Sequence, residues 1–154
     1  MKRYFGQITV VAGILVAVSA TAQANLEGPV KARKQHMQLY GFNLGTLGDM
    51  AKGDREYDAA LAQAAADRLV ALSAMTQAGY YPAGTSSDEM EDSRALPVLF
   101  EQMDDYQALT NELNAAAEAM AAVAGDGVEQ VQANMQALGQ ACGACHEDYR
   151  KPRE

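Results

Sequence analysis

Cysteine is almost missing from this 154-residue chain: Cys142 and Cys145 are the only two, separated by Gly143 and Ala144. That excludes a disulfide framework, and a bond between these two would close so small a loop that it would hardly restrain the unfolded chain. Apart from His146, which follows Cys145 directly, the only histidine is His36, and there is no third cysteine, which argues against a four-ligand structural zinc site. Tryptophan is absent, and proline occurs only at 29, 82, 97 and 152, near the edges of candidate elements. With alanine abundant, this is a helical composition whose breaking residues are kept to the joints. Positive charge is scarce as well, with 12 Lys and Arg against 20 Asp and Glu. Such a field repels phosphate backbones and anionic lipid, so nucleic acid is excluded as a partner and cationic protein surfaces are favoured.

The single long apolar run lies at the start. Lys2 and Arg3 precede an apolar stretch from Ile8 to Val18, and Ala22-Gln23-Ala24 supplies small residues at the spacing of a cleavage site. The run is shorter than the roughly 20 residues that span a bilayer. Residues 1–24 therefore read as a signal peptide cut after Ala24, with export to the periplasm and no membrane contact once it is removed. Both lost charges are positive, so residues 25–154 carry a net charge of about −10 where the whole chain has −8.

Residues 25–154 form one domain with four periodic stretches, expected as helices at about 29–51, 55–78, 97–124 and 128–150. In the first, Val30, Arg33, Met37, Tyr40, Leu44, Leu47 and Ala51 alternate at three and four. Lys52-Gly53 suits its end, and a short turn should set the second helix antiparallel to it. Pro82, Gly84, Thr85, Ser86, Ser87 and several acids mark a long connection before Pro97 opens the third helix. Gly125-Asp126-Gly127 stops that helix. In the fourth, Val128, Val131, Met135, Leu138, Cys142, Cys145 and Tyr149 keep the alternation, which turns both cysteines toward a core. The fold class is all-α: an antiparallel four-helix bundle, up-down-up-down, with a long loop between helices 2 and 3.

Cys142-Gly143-Ala144-Cys145-His146 is the attachment pattern for haem c. Residues i and i+3 are neighbours on a helix face, so two thiols can add to the two vinyl groups along one porphyrin edge as thioethers, and the next residue reaches the iron. One haem and its iron are therefore expected, with His146 as the proximal ligand. A thioredoxin-like pair sits at a helix start after a strand, whereas this one lies late in a helix of a chain with no convincing strand. Met37 is a candidate for the opposite axial position, or simply core filling, a common use of methionine. Its neighbour His36 is rotated about 100° off the seam and reads as a surface residue. Arg33 occupies a seam position, where a buried cation calls for an anion such as a haem propionate; the alternative is an arginine reaching solvent from the bundle end.

These features together resemble the class II c-type cytochromes, which comprise cytochrome c′ and its low-spin relatives of the c-556 type. The likeness spans residues 25–154: the haem motif near the C-terminus followed by Tyr149-Arg150, Arg33 and Met37 four apart, Lys52-Gly53 with Tyr57-Asp58 beyond, Pro82-Ala83-Gly84-Thr85, Pro97, and Gly125-Asp126. The resemblance implies a left-handed bundle with the haem near one end, Arg33 near a propionate and Arg150 beside the proximal imidazole. It places Met37 at the distal position, which low-spin members fill with a methionine ligand and cytochromes c′ leave open to nitric oxide or carbon monoxide. It also implies frequent homodimers through the first two helices. Phe100 stands where the family often has tryptophan, and Tyr80-Tyr81 where a single phenylalanine is common. No acid–base pair or nucleophile is apparent, so the expectation is a redox carrier in electron transport, working with partners that have basic docking patches, or a gas-binding haem protein, and not an enzyme.

Overall fold

The computed structural model describes the backbone of residues 14–152 and the side chains of residues 26–152. The expected leader falls mostly outside the described residues. The described residues form five helices: α1 (Ile14–Lys52), α2 (Ala59–Ala74), α3 (Pro97–Glu101), α4 (Met103–Ala121) and α5 (Val128–Tyr149). Among the described residues there is no strand, only an isolated bridge between Ala95 and Arg150. No described helix is long and apolar enough to cross a membrane.

The four long helices form the antiparallel bundle, each packing on two neighbours in the cyclic order α1, α2, α4, α5. Alanines at 62, 65, 66 and 117 are fully buried between Leu47, Leu69, Met120, Val131 and Leu138, so close helix approach is matched by small side chains across from large ones. One end is closed by residues 53–58 and 122–127. There the Tyr57 hydroxyl donates to Ala124 O at 2.9 Å and accepts from Gly127 N at 3.0 Å, tying the two turns together. The opposite end carries the 75–96 crossover, the last turn of α5 and the Arg33 region of α1.

Three of the four expected helices differ in extent. α1 runs back through Pro29 to Ile14 instead of starting at the proline; a proline removes one N–H from the ladder, a loss a long helix can absorb. α2 starts later and ends earlier than 55–78: Asp58 caps its N-terminus by accepting from Leu61 N at 2.9 Å, and Met75 turns to an extended conformation. The expected third helix is two. Gln102 leaves helical geometry (φ −119°, ψ 44°) and its side-chain oxygen accepts from the Tyr149 hydroxyl at 3.1 Å, so α3 swings away from α4 to meet the end of α5.

The buried stripe of α1 also differs from the expected one. Val30, Arg33, Tyr40 and Leu47 are buried as expected, and Leu44 and Ala51 pack partly buried against the core, but Met37 is exposed while His36, Asn43 and Met50 are buried as well. The buried face is wider than the expected seam, and an apolarity count passes over His36 and Asn43 because they are polar.

Candidate haem site

The last two turns of α5 bring Cys142, Cys145 and His146 to one end of the bundle, where all three are half-buried. The thiols are unpaired. Burial pushes both above the ordinary thiol value, Cys145 to about 11, with the neighbouring Cys142 and Asp148 adding to the rise and Arg150 opposing it. His146 is held below the ordinary imidazole value, first by burial and then by the positive charges of Arg150 and Arg94. An unprotonated imidazole is the form that binds a metal.

Cys145 packs against an aromatic group in which Leu99, Tyr106 and Tyr149 are buried, with Tyr81, Phe100 and Leu109 partly so. The Tyr81 and Tyr106 hydroxyls are 2.7 Å apart, and Tyr106 donates onward to Gln77 Oε1 at 2.7 Å. On the α1 side, Cys142 lies near Tyr40, whose phenol is strongly raised, mainly by its burial.

Arg33 is buried and donates through Nη1 to Tyr80 O (3.0 Å) and Thr85 Oγ1 (2.9 Å), and through Nη2 to Thr85 O and Ser93 Oγ (2.7 Å). Its guanidinium also lies 5.1 Å from the centre of the Tyr81 ring. Every acceptor is neutral. The hydrogen bonds fasten the crossover to α1 but leave the charge without a counter-ion, and burial pulls the Arg33 pKa down accordingly. Thr85 is itself fully buried, reached through Gly84, whose φ of +84° is open to glycine and whose added Cβ would stand 3.3 Å from Leu26 Cδ1.

His36 corrects the sequence reading. It is 3% exposed, its Nε2 is bonded to Leu72 O at 3.0 Å, and its ring stacks on Tyr40 with centroids 4.9 Å apart. Met37, by contrast, is 37% exposed. Arg150 is exposed at the C-cap of α5, its backbone paired with Ala95, and the Arg94 side chain donates to Lys151 O beside it. Sequence reasoning did not single out Ser93 or Asn43; a serine or asparagine gains a role here only once a distant element is folded onto it.

The donor set fits a haem. Two unpaired thiols and an adjacent neutral imidazole share one face; a buried guanidinium at the same end has no anion; and the Tyr40 hydroxyl, near Cys142, is buried without a hydrogen-bond partner. Among the described residues no three histidine, cysteine or acidic side chains cluster as a metal cage.

Comparison with known proteins agrees. The family model described as cytochrome C′ matches residues 28–150. This chain belongs to the cytochrome c′ family. It is 40% identical over 139 residues to a cytochrome c-554 of Cereibacter sphaeroides, covering 89% of this chain and 91% of that one. It is 34% identical over 143 residues to a cytochrome c′ of the same species, covering 92% and 96%. Among solved structures, a cytochrome c′ from Rhodobacter Spheriodes superposes with a TM-score of 0.80 at 34% identity over 83% of this chain and 98% of that one. A nitric oxide complex of a mutant cytochrome c prime from Alcaligenes xylosoxidans gives 0.71 at 26% identity, over 83% and 97%.

Members of this family are haem proteins, and a haem held here would supply a redox-active iron. In this cytochrome, Cys142 and Cys145 would hold the porphyrin edge, His146 would face the metal, and Arg33 and Arg150 would supply positive charge on either side. The aromatic group around Cys145 excludes water from that edge.

Proposed function

We propose that this chain is an exported electron carrier, with residues 1–24 removed after Ala24 and one haem c joined through two thioethers to Cys142 and Cys145 in the periplasm. His146 is the proximal iron ligand and Met37 the sixth. The observation that carries this reading is the placement of two unpaired thiols and a neutral imidazole on one face of α5, at the end of the bundle where buried Arg33 lacks an anion. A haem propionate satisfies that need, and the exposed Arg150 biases the imidazole electrostatically. With both axial positions filled, the protein's part is to set the potential by ligation and burial.

The visible spectrum of the reduced protein tests the assignment. Narrow low-spin alpha and beta bands are expected, and Met37→Ala should abolish them. A broad high-spin spectrum that Met37→Ala leaves unchanged would reject Met37 as a ligand. That outcome would favour a second reading, supported by the similar nitric oxide complex: an open distal face that binds nitric oxide or carbon monoxide, with Met37 as its wall.

Self-association belongs to the same proposal. Leu39 and Phe42 are 51% and 67% exposed on α1, one turn apart, and a second copy would cover them. Phe42→Lys should lower the mass measured by sedimentation from dimer to monomer; an unchanged mass would remove this face from consideration.

A further inference from the structure

A groove of about 650 Å3 lies between the end of α2 with its following segment, residues 73–82, and the 103–114 face of α4. None of its lining residues is charged, in a chain with 12 basic and 20 acidic residues. Two carboxamides in it are each held by one end only. Tyr106, buried, donates to Gln77 Oε1 at 2.7 Å and has used its only proton, so Tyr81 donates to Tyr106 at 2.7 Å. Among the described residues Gln77 Nε2 is left with no partner, and the bond to Oε1 fixes its direction. Farther along, Asn114 Nδ2 donates to Ser73 Oγ at 2.8 Å, and buried Ser73 donates to Val70 O at 3.0 Å. That leaves Asn114 Oδ1 as a held acceptor, also without a partner.

The groove thus offers a donor at one end and an acceptor at the other, both oriented in advance. Tyr106 and Asn114 stand eight residues apart on α4, about 12 Å of helical rise. A ring with oxygens on opposite sides can meet a donor and an acceptor that lie apart along one groove. The thioethers of Met75 and Met103, both exposed, provide soft apolar surface for such a ring.

We propose that this groove binds a neutral hydroquinone, one hydroxyl oxygen accepting from Gln77 Nε2 and the opposite hydroxyl donating to Asn114 Oδ1. The oxidised quinone has no proton for Asn114 and sets two acceptors against each other there, so the site prefers the reduced ring. Read with the proposed function, the groove receives a small reductant beside the aromatic group that packs on Cys145; binding itself depends on Gln77 and Asn114 and not on the haem.

Methionine methyl resonances report the site directly. The ferrous protein is titrated with tetramethylhydroquinone and the ferric protein with duroquinone, so that neither pair can react. Saturable shifts of the Met75 and Met103 methyls are expected, with duroquinone binding at least tenfold more weakly. Gln77→Leu deletes the groove-facing donor and should weaken hydroquinone binding at least tenfold, as should Asn114→Leu, with helical circular dichroism retained. Absence of saturation at millimolar probe, equal affinity for the two oxidation states, indifference to Gln77→Leu and Asn114→Leu, or shifts at Met37 instead would each overturn the proposal. A preparation with no haem absorption would defeat the carrier reading and leave this titration to be read on the same chain.

Discussion

Arg33 donates to two carbonyls and two hydroxyls of the crossover, so its removal strands buried acceptors as well as deleting a charge. Arg33→Met should therefore destabilise the holoprotein by roughly 3 kcal/mol, the scale for stripping one partner from a buried charged network. A lowered urea midpoint with an unchanged slope would register it. Arg33→Lys should recover only part, because a compact ammonium on a flexible stem cannot reach Tyr80, Thr85 and Ser93 together as a planar fork does. A methionine variant as stable as the parent would mean that the crossover is held by other contacts. At the opposite wall, Cys142→Ala with Cys145→Ala should yield an exported chain whose intact mass is that of the bare polypeptide. The parent should be heavier by one haem, and equal masses would end the covalent assignment.

Helix positions were legible in the sequence where packing follows apolarity, and misread where it does not. The α5 alternation is buried or half-buried at every named position from Val128 to Tyr149, and it delivers the haem motif to the bundle end as expected. On α1, burial of His36 and Asn43 depends on Leu72 O and on Asn43 Nδ2 reaching Leu39 O at 2.8 Å, contacts that no hydrophobic count registers. The break between α3 and α4 arises from a side-chain bond between Gln102 and Tyr149, 47 residues apart, and leaves no local signal. Tyr57 was visible as part of the family pattern, and its function is now physical: one hydroxyl closes both turns at the far end. Tyr57→Phe removes two hydrogen bonds with little change in shape and should cost about 1–2 kcal/mol. Hydrogen exchange should then quicken at Gly127 N, which loses its acceptor, and not at the crossover; faster exchange at both ends would show the bundle opening as one unit instead.

Charge and shape are divided unevenly over the whole molecule. Twenty acids against twelve bases give the chain a formal net charge of −8, yet the candidate haem end carries arginines 33, 94 and 150 beside Asp148. A carrier built this way should approach its protein partners through the general acidic field and orient by the local arrangement at the end of α5. Exposed charges are screened over about 8–10 Å at ordinary ionic strength, so steering of this kind fades as salt rises while short-range contacts persist. The second-order rate of electron exchange with a basic redox protein should therefore fall steeply with added salt, and exchange with an acidic one should rise. Oxidation of a small neutral reductant, whose approach feels no net field, should hardly change over the same range. If salt left the basic partner's rate unaltered, the acidic surface would have no part in docking, and recognition would have to reside in the uncharged contacts around the aromatic group at Cys145.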